Sequence, residues 1–366
     1  MGVLIRDVIS HLEQLAPPSL QESYDNSRLI VGDDSTEVTG IITSLDCLES
    51  VVEEAIEKKC NLIVAHHPIV FSGLKTFTGK NYIERTVIKA IQNNIAIYAI
   101  HTNLDNVIHG VNGVWGKALG LTNQKVLSPK QGLLNKLAVY VPQDHSEVVK
   151  SAMFSAGAGS VGDYAECSFE SAGTGTFLPG DDTKPFIGEK GTRSSVTESK
   201  IEVIVPSFNV SKVLKAMKIA HPYEEVAYDL YSIQGSSDKI GSGLIGELPE
   251  EMDAIEFLKM MKQTMGAGVV RHTKVLKDKV KRIAICGGSG SFLLDASIAQ
   301  QADIFITADY KYHQFFDADN RIVIADIGHY ESEHLTINYL ADNLNKNFTT
   351  FAVSITQVDT NPIEYL

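Results

Sequence analysis

Positive charge is scarce in this sequence: Lys and Arg number 32 against 45 Asp and Glu, a formal net charge of -13. Sequence-independent binding to duplex nucleic acid needs a basic face, so the average argues against that class of partner. Cysteine is sparse as well. Cys47, Cys60, Cys167 and Cys286 lie far apart with no Cys-x-x-Cys pair. That excludes a disulfide framework and a thiolate zinc knuckle, and it points to a cytoplasmic protein with buried core thiols. No apolar run approaches the ~20 residues that span a bilayer, so no membrane partner is expected. Residues 1–17 read as an amphipathic helix, with Val3, Leu4, Val8, Leu12 and Leu15 opposite Arg6, Asp7 and Glu13. They lack the continuous apolar stretch of a secretory leader. Arg6 stands where N-myristoylation after Gly2 calls for Ser or Thr.

What is present is the composition of a folded chain. Hydrophobic residues make up 44% and charged residues 21% of 366 positions, which suits about two domains of roughly 100–200 residues. From residue 40 to 121 strands alternate with helices. Residues 40–46 (GIITSLD), 61–65 (NLIVA) and 95–100 (IAIYAI) are nearly continuous apolar runs, the signature of strands covered on both faces. Residues 48–59 and 81–94 carry apolar side chains at helical spacing. The same alternation returns after residue 250, with a helix at 252–265 and strands at 281–286, 303–307, 321–326 and 350–355. Each half is too small to cover a sheet well, so the two are expected to share one mostly parallel sheet.

Between the halves the texture changes. A strand at 137–141, a helix at 145–157, two strands around 165–177, a Gly/Ser/Thr-rich stretch to 199, a strand at 201–205, a helix at 210–219 and a strand at 226–233 give a βαββαβ-like order with one strand extra. The expected fold is therefore α/β: a discontinuous α/β/α host domain, residues 1–127 and 241–366, interrupted by an α+β ferredoxin-like insertion at 128–240.

The histidines gather at strand ends. His66 and His67 follow NLIVA, His101 follows IAIYAI, and His329 lies three residues beyond RIVIAD. Ligands of open α/β sheets bind beyond the carboxyl ends of the strands, so three elements aim imidazoles at one rim. Asp105 and Glu333 each stand four residues after a histidine, a spacing that puts both side chains on one helical face. Such donors suit zinc, manganese, iron or nickel. Successive side chains on an extended segment diverge, so His66 and His67 are expected to serve two ions, with Glu333 bridging and His66, His67, Asp105 and His329 as terminal ligands. Paired ions about 3.5–4 Å apart activate a bridging water for hydrolysis. Asp46 and Asp309 are candidate general acid/bases or ring-orienting partners, with helix N-capping an equal alternative. His101 is expected behind the ligands, since Asp105 already serves its loop.

Other features have plainer readings. The loop 287–291 (GGSGS) could receive a phosphate on its amides, but it matches neither G-x-G-x-x-G nor a Walker loop, and a tight strand-to-helix turn is favoured. His221, Glu224 and Glu225 read better as an exposed charged turn than as a second metal site. Lys311 and His313 fit a solvated helix face as well as a substrate contact.

The segments LIVAHHPIVFSGLK (62–75), AIHTNLDNVIHGVNGVWGKALGL (99–121), CGGSGSFL (286–293), ITADYKYHQFFDA (306–318) and DIGHYESE (326–333) together resemble the GTP cyclohydrolase I type 2 homologues, or Nif-three-like proteins. SYDNSRLIVGD (23–33) and NPIEYL (361–366) are similar too, so the resemblance spans the chain. It implies a dinuclear centre at His66, His67, Asp105, His329 and Glu333, most simply zinc, and a toroidal homohexamer. HPYEEVAYDL (221–230) matches members with a CutA-like or PII-like insertion. The family name implies hydrolytic opening of the purine ring of GTP, although Lys75, Arg85 and Lys311 are too scattered to cradle a triphosphate. The family's Trp-Asp-Asn is Tyr24-Asp25-Asn26 here, its following Gly is Arg28, and its Thr-Gly-Asp is Thr307-Ala308-Asp309. Two functions are thus expected: a metal-dependent hydrolase of a nucleotide or related small molecule, or a non-catalytic regulatory ring whose insertion binds a ligand or partner.

Overall fold

The computed structural model describes residues 2–366. The chain forms a mixed α/β fold with three sheets, divided into two compact units: Met1–Pro129 with Lys239–Leu366, and Lys130–Asp238. Among the described residues, no helix is long and apolar enough to cross a membrane.

The discontinuous unit holds two sheets rather than one. The first runs Leu29–Val31, Ala96–Ala99, Leu62–Ala65, Gly40–Ser44, Ala352–Ile355. Its pairings are parallel except at the Leu29–Val31 edge. Alternate residues serve opposite faces. Ile42, Ile63 and Ile97 pack on one side with Val51, Val52 and Ala55 of helix Glu49–Glu57 and Val87 and Ala90 of helix Tyr82–Gln92. On the other side the Thr43 hydroxyl donates to the Ile337 carbonyl (3.3 Å) of helix Leu335–Asn347.

The second sheet runs Arg271–His272, Val323–Asp326, Ile304–Ala308, Lys279–Ser289, Ser236–Asp253, Thr122–Gln131. Its inner pairings, Val323–Asp326 with Ile304–Ala308 and the latter with Lys279–Ser289, are parallel, and Arg271–His272 and Ser236–Asp253 add antiparallel neighbours. The long strands Thr122–Gln131 and Ser236–Asp253 were not anticipated from the sequence. By pairing into the second half, they give it a sheet of its own. One face packs Ile283, Ile285, Ile304 and Ile306 against Trp115 and against Phe257 and Met261 of helix Ala254–Thr264; the other packs Ala284, Phe305 and Ile324 against Leu293 and Leu294.

The second unit has the order strand Leu134–Pro142, helix Ser146–Ser155, strand Ser168–Phe177, strand Ser194–Pro206, helix Val210–Ala220, strand Tyr228–Ile233. One strand, not two, occupies the 165–177 region, and the polar stretch before 199 ends as the first turn-free half of the next strand. The sheet order is Ser168–Phe177, Ser194–Pro206, Leu134–Pro142, Tyr228–Ile233, with every pair antiparallel. Leu137, Val139, Val141, Ile201, Val203 and Val205 meet Val149, Met153, Val213 and Met217 of the two helices.

Ile306 is wholly buried in an interior strand. Ile306→Ala is expected to cost about 2–5 kcal/mol of unfolding free energy, the range for a large-to-small change at a packed site, read from the denaturant midpoint by circular dichroism.

Candidate metal centre

The parallel strands of both sheets end at one place. Leu62–Ala65 delivers His66 and His67, Ala96–Ala99 delivers His101, and Gly40–Ser44 delivers Asp46. From the second sheet, Ile304–Ala308 delivers Asp309, and Val323–Asp326 leads into the short helix His329–Glu333.

Glu333 sits at the middle. Its Oε2 lies 2.9 Å from His67 Nε2, 3.1 Å from His329 Nε2 and 3.9 Å from His66 Nε2. His67 Nε2 and His329 Nε2 are 3.3 Å apart. Two nitrogens and a carboxylate oxygen this close, from a strand end and one short helix, form a group that could hold a metal ion. A second such group is His66, His67 and His101, whose donor atoms all lie within 4.8 Å of one another. His66 Nε2 and Asp105 Oδ1 face each other at 3.6 Å, both shut off from solvent and both without a hydrogen-bond partner. Burying polar atoms unpaired is costly, and a cation between them would satisfy both. The donor set of neutral imidazoles and carboxylates therefore fits a divalent metal.

Each ring is held from behind. His66 Nδ1 donates to the Ile100 carbonyl (2.8 Å), His67 Nδ1 to Asp46 Oδ1 (2.8 Å), His101 Nδ1 to Asp25 Oδ1 (2.7 Å) and His329 Nδ1 to Asp309 Oδ2 (2.7 Å). A proton fixed on Nδ1 leaves Nε2 to face the cluster. Asp46 spends its other oxygen on the Thr360 hydroxyl (3.0 Å). Neither Asp46 nor Asp309 caps a helix: Leu48 and Lys311 hold those positions.

The electrostatics follow from this crowding. Burial, with the charges of His67 and His101 and against that of Glu333, pushes the wholly buried His66 down to about 3. Burial works against charge on His67 and His329 too, but their carboxylate partners prevail. Hydrogen bonds to Asp46 and Glu333 lift His67 to about 10, and the Glu333 charge with the Asp309 hydrogen bond lifts His329 to about 11. Burial likewise opposes ionisation of Glu333, yet the charge and hydrogen bond of His329, together with His67, hold it well below the usual carboxylate range. Asp105 is pushed well up, by burial and then by the Glu333 charge.

The Gly-rich loop closes the centre rather than presenting free amides. Gly287 N donates to Asn112 Oδ1, Gly288 N to Ser332 Oγ and Gly290 N to Thr307 Oγ1, each at 2.9 Å. Gly288 has φ +60°, and a Cβ there would lie 2.5 Å from Glu333 Oε1. Beside the centre opens a cavity of about 450 Å³ bordered by Tyr24, His101, Asp105, Cys286, Phe292 and Glu333. Among the described residues none of its lining side chains is Lys or Arg. Arg85 is paired elsewhere, with Glu49 at 3.1 Å.

Several expectations change. His66 and His67 do not diverge: their ring centres are 5.0 Å apart. The strand ends at Ala65, and the chain bends as His66 N and His67 N donate to Ser44 and Leu45 carbonyls, which turns both rings inward. His101 offers a ring nitrogen within the cluster instead of standing behind it. His221 has both ring nitrogens engaged, Nε2 donating to the Tyr140 carbonyl (2.9 Å) and Nδ1 accepting from Tyr223 N (3.1 Å), so it is no ligand. Asp25 was missed. Its carboxylate binds His101 Nδ1, Ser27 Oγ (2.8 Å) and the Thr102 amide (3.0 Å) and hydroxyl (2.5 Å), and those bonds hold it well below the usual carboxylate range against the effect of burial. Its one signal in the sequence was its place in the Tyr24-Asp25-Asn26 motif.

Comparison with known proteins agrees in outline. The family described as Duf34/NIF3 (NGG1p interacting factor 3) matches residues 3–362. A GTP cyclohydrolase 1 type 2 homolog of Halalkalibacterium halodurans is 40% identical over 324 residues, 88% of this chain and 87% of that protein. One of Bacillus subtilis is 36% identical over 366 residues, 99% of this chain and 98% of the relative. A solved Bacillus cereus protein related to NIF3 superposes with a TM-score of 0.88 at 36% identity, covering both chains in full. With the match running nearly end to end, this chain belongs to the Duf34/NIF3 family.

Proposed function

We propose that the protein is a metal-dependent hydrolase of a nucleotide or related small molecule, with two divalent ions held by His66, His67, Asp105, His329 and Glu333. The observation that carries this reading is the buried pair His66 Nε2 and Asp105 Oδ1, unpartnered beside the His67, His329 and Glu333 cluster. Zinc is the first choice, and manganese, iron or nickel would suit the same donors. His101, brought within the cluster, joins the set as a further donor. Bound ions of this kind supply Lewis acidity and lower the pKa of a water.

The chain's own residues do the rest. Asp46 and Asp309 keep the Nδ1 protons of His67 and His329 in place, which makes them positioning residues. Glu333, fixed by two histidines and by the close approach of Gly288, sets the spacing of the two halves of the site. Tyr24 and Phe292, 64% and 68% exposed, offer ring faces at the cavity mouth for a planar substrate. The relatives' name points to GTP, but with no Lys or Arg lining the cavity a triphosphate would rest on the metals alone. Assembly as a toroidal homohexamer in the cytoplasm, and a ferredoxin-like character for the inserted unit, supported by its strand order, belong to the same reading. A second reading, a regulatory ring acting through the inserted unit, is favoured by a cavity of about 670 Å³ lying wholly within that unit.

Elemental analysis after reconstitution is expected to find two metals per chain, and Glu333→Gln is expected to lose at least one of them. A chain that neither carries nor takes up metal would sink the proposal. Asp46→Ala leaves every ligand in place and is expected to lower metal affinity about 10–100-fold, measured by competition with a chromogenic chelator. Metal-loaded protein that is inert to a broad panel of nucleotides and phosphoesters would shift the case to the regulatory reading.

Metal loading has a proton signature. His67 and His329, raised to about 10 and about 11, carry protons at pH 7 that a cation must displace. Loading is therefore expected to release protons at pH 7, with apparent affinity falling as pH is lowered. Calorimetry in two buffers of different ionisation enthalpy reads the release, and no release would show that both rings were already neutral.

A further inference from the structure

The inserted unit carries a half-open cavity of about 670 Å³ that the proposed hydrolysis does not use. Its wall is formed by the strand Ser168–Phe177, the segment that follows it, and the turn at 221–225. Aromatic rings make one side. Phe177 and Phe186 stand 6.0 and 6.3 Å from Tyr223, centre to centre. The buried His221 holds this arrangement, gripping the Tyr223 amide with one ring nitrogen and the Tyr140 carbonyl with the other. Glu224 ties the overlying segment down, its Oε1 accepting from Lys184 N at 2.8 Å. The HPYEE turn thus has a structural result: it frames a cavity.

The charged part of the wall is mostly acidic. Glu198 is only 8% exposed, and its Oε1 accepts from the Tyr223 hydroxyl at 3.0 Å. A Cβ on Gly175 would come within 2.0 Å of Glu198 Oε2, so the glycine leaves the room that the carboxylate occupies. Glu224 and Glu225 also line the space. Against these three carboxylates the lining holds one basic residue, Lys200, whose ammonium lies 3.6 Å from Glu202, outside the wall. A buried carboxylate beside ring faces repels an anion and attracts a cation, through direct charge and through the ring quadrupoles. A neutral occupant would desolvate Glu198 further without supplying a counter-charge.

We propose that this cavity binds a small organic cation, an ammonium group carried on an aromatic or apolar body, with Glu198 meeting the charge and Phe177, Phe186 and Tyr223 enclosing the body. The site is independent of the metal centre and needs no metal.

Calorimetric titration of the full chain with three probes of one shape tests it: tyramine as the cation, tyrosol as its neutral isostere and 4-hydroxyphenylacetate as the anion. Tyramine is expected to bind about tenfold or more tightly than tyrosol, with the anion weakest. Glu198→Gln keeps an acceptor for the Tyr223 hydroxyl and is expected to bring tyramine down to the level of tyrosol. Gly173 lines the cavity with nothing within 4 Å of where a Cβ would sit, so Gly173→Leu is expected to block all three probes by volume without straining the strand. Equal binding of the three probes, no binding of any at millimolar concentration, or tyramine binding untouched by Gly173→Leu would each overturn the assignment.

Discussion

A carboxylate that is almost fully buried must be paired, and Glu333, 3% exposed, is paired by histidines from two different sheets. That requirement organises the discontinuous unit. His67 reaches Glu333 from the first sheet, while His329 holds it from Glu333's own helix beyond the second, so the sheets could not part without taking His67 away from the charge. Gly288 follows from it, because a side chain there would strike the Glu333 carboxylate. So do the aspartates behind the rings, which return negative charge to imidazoles that must stay oriented. A dense set of ionisable groups in a desolvated place is also the usual mark of a functional centre.

Much of this was readable in the sequence because it rests on local pattern. Apolar runs such as NLIVA and IAIYAI marked strands covered on both faces, and polar residues at their ends marked the rim. His329 and Glu333 sit on one short helix, as their spacing of four required. What could not be read depends on partners far away in the chain. Thr122–Gln131 and Ser236–Asp253 are strands by virtue of their neighbours in the second sheet, and no apolar run announced them. Asp25 acquires its role by reaching His101, and Thr360 its role by reaching Asp46. The paired rings of His66 and His67 depend on a bend that starts one residue after the strand ends, and alternation along a strand says nothing about bends.

The two units also solve the problem of acidic charge in different ways. At the rim of the two sheets, carboxylates are balanced by imidazoles that carbonyl and carboxylate acceptors hold in place. In the inserted unit, the Glu198 carboxylate has a tyrosine hydroxyl and, among the described residues, no cation in hydrogen-bond contact. The first arrangement is complete only with positive charge among its ligands, and the second leaves positive charge to come from outside.

The pairing of Ala352–Ile355 with Gly40–Ser44 has a bearing on how the chain is made. The first sheet cannot gain its outer strand until residue 355 has left the ribosome, whereas the unit Lys130–Asp238 is continuous and emerges whole well before that. Domains fold as units during synthesis, N-terminal parts first. The inserted unit is thus free to fold while the sheet that began ahead of it still waits for its edge, and the nascent chain must leave the outer side of strand 40–44 unpaired in the meantime.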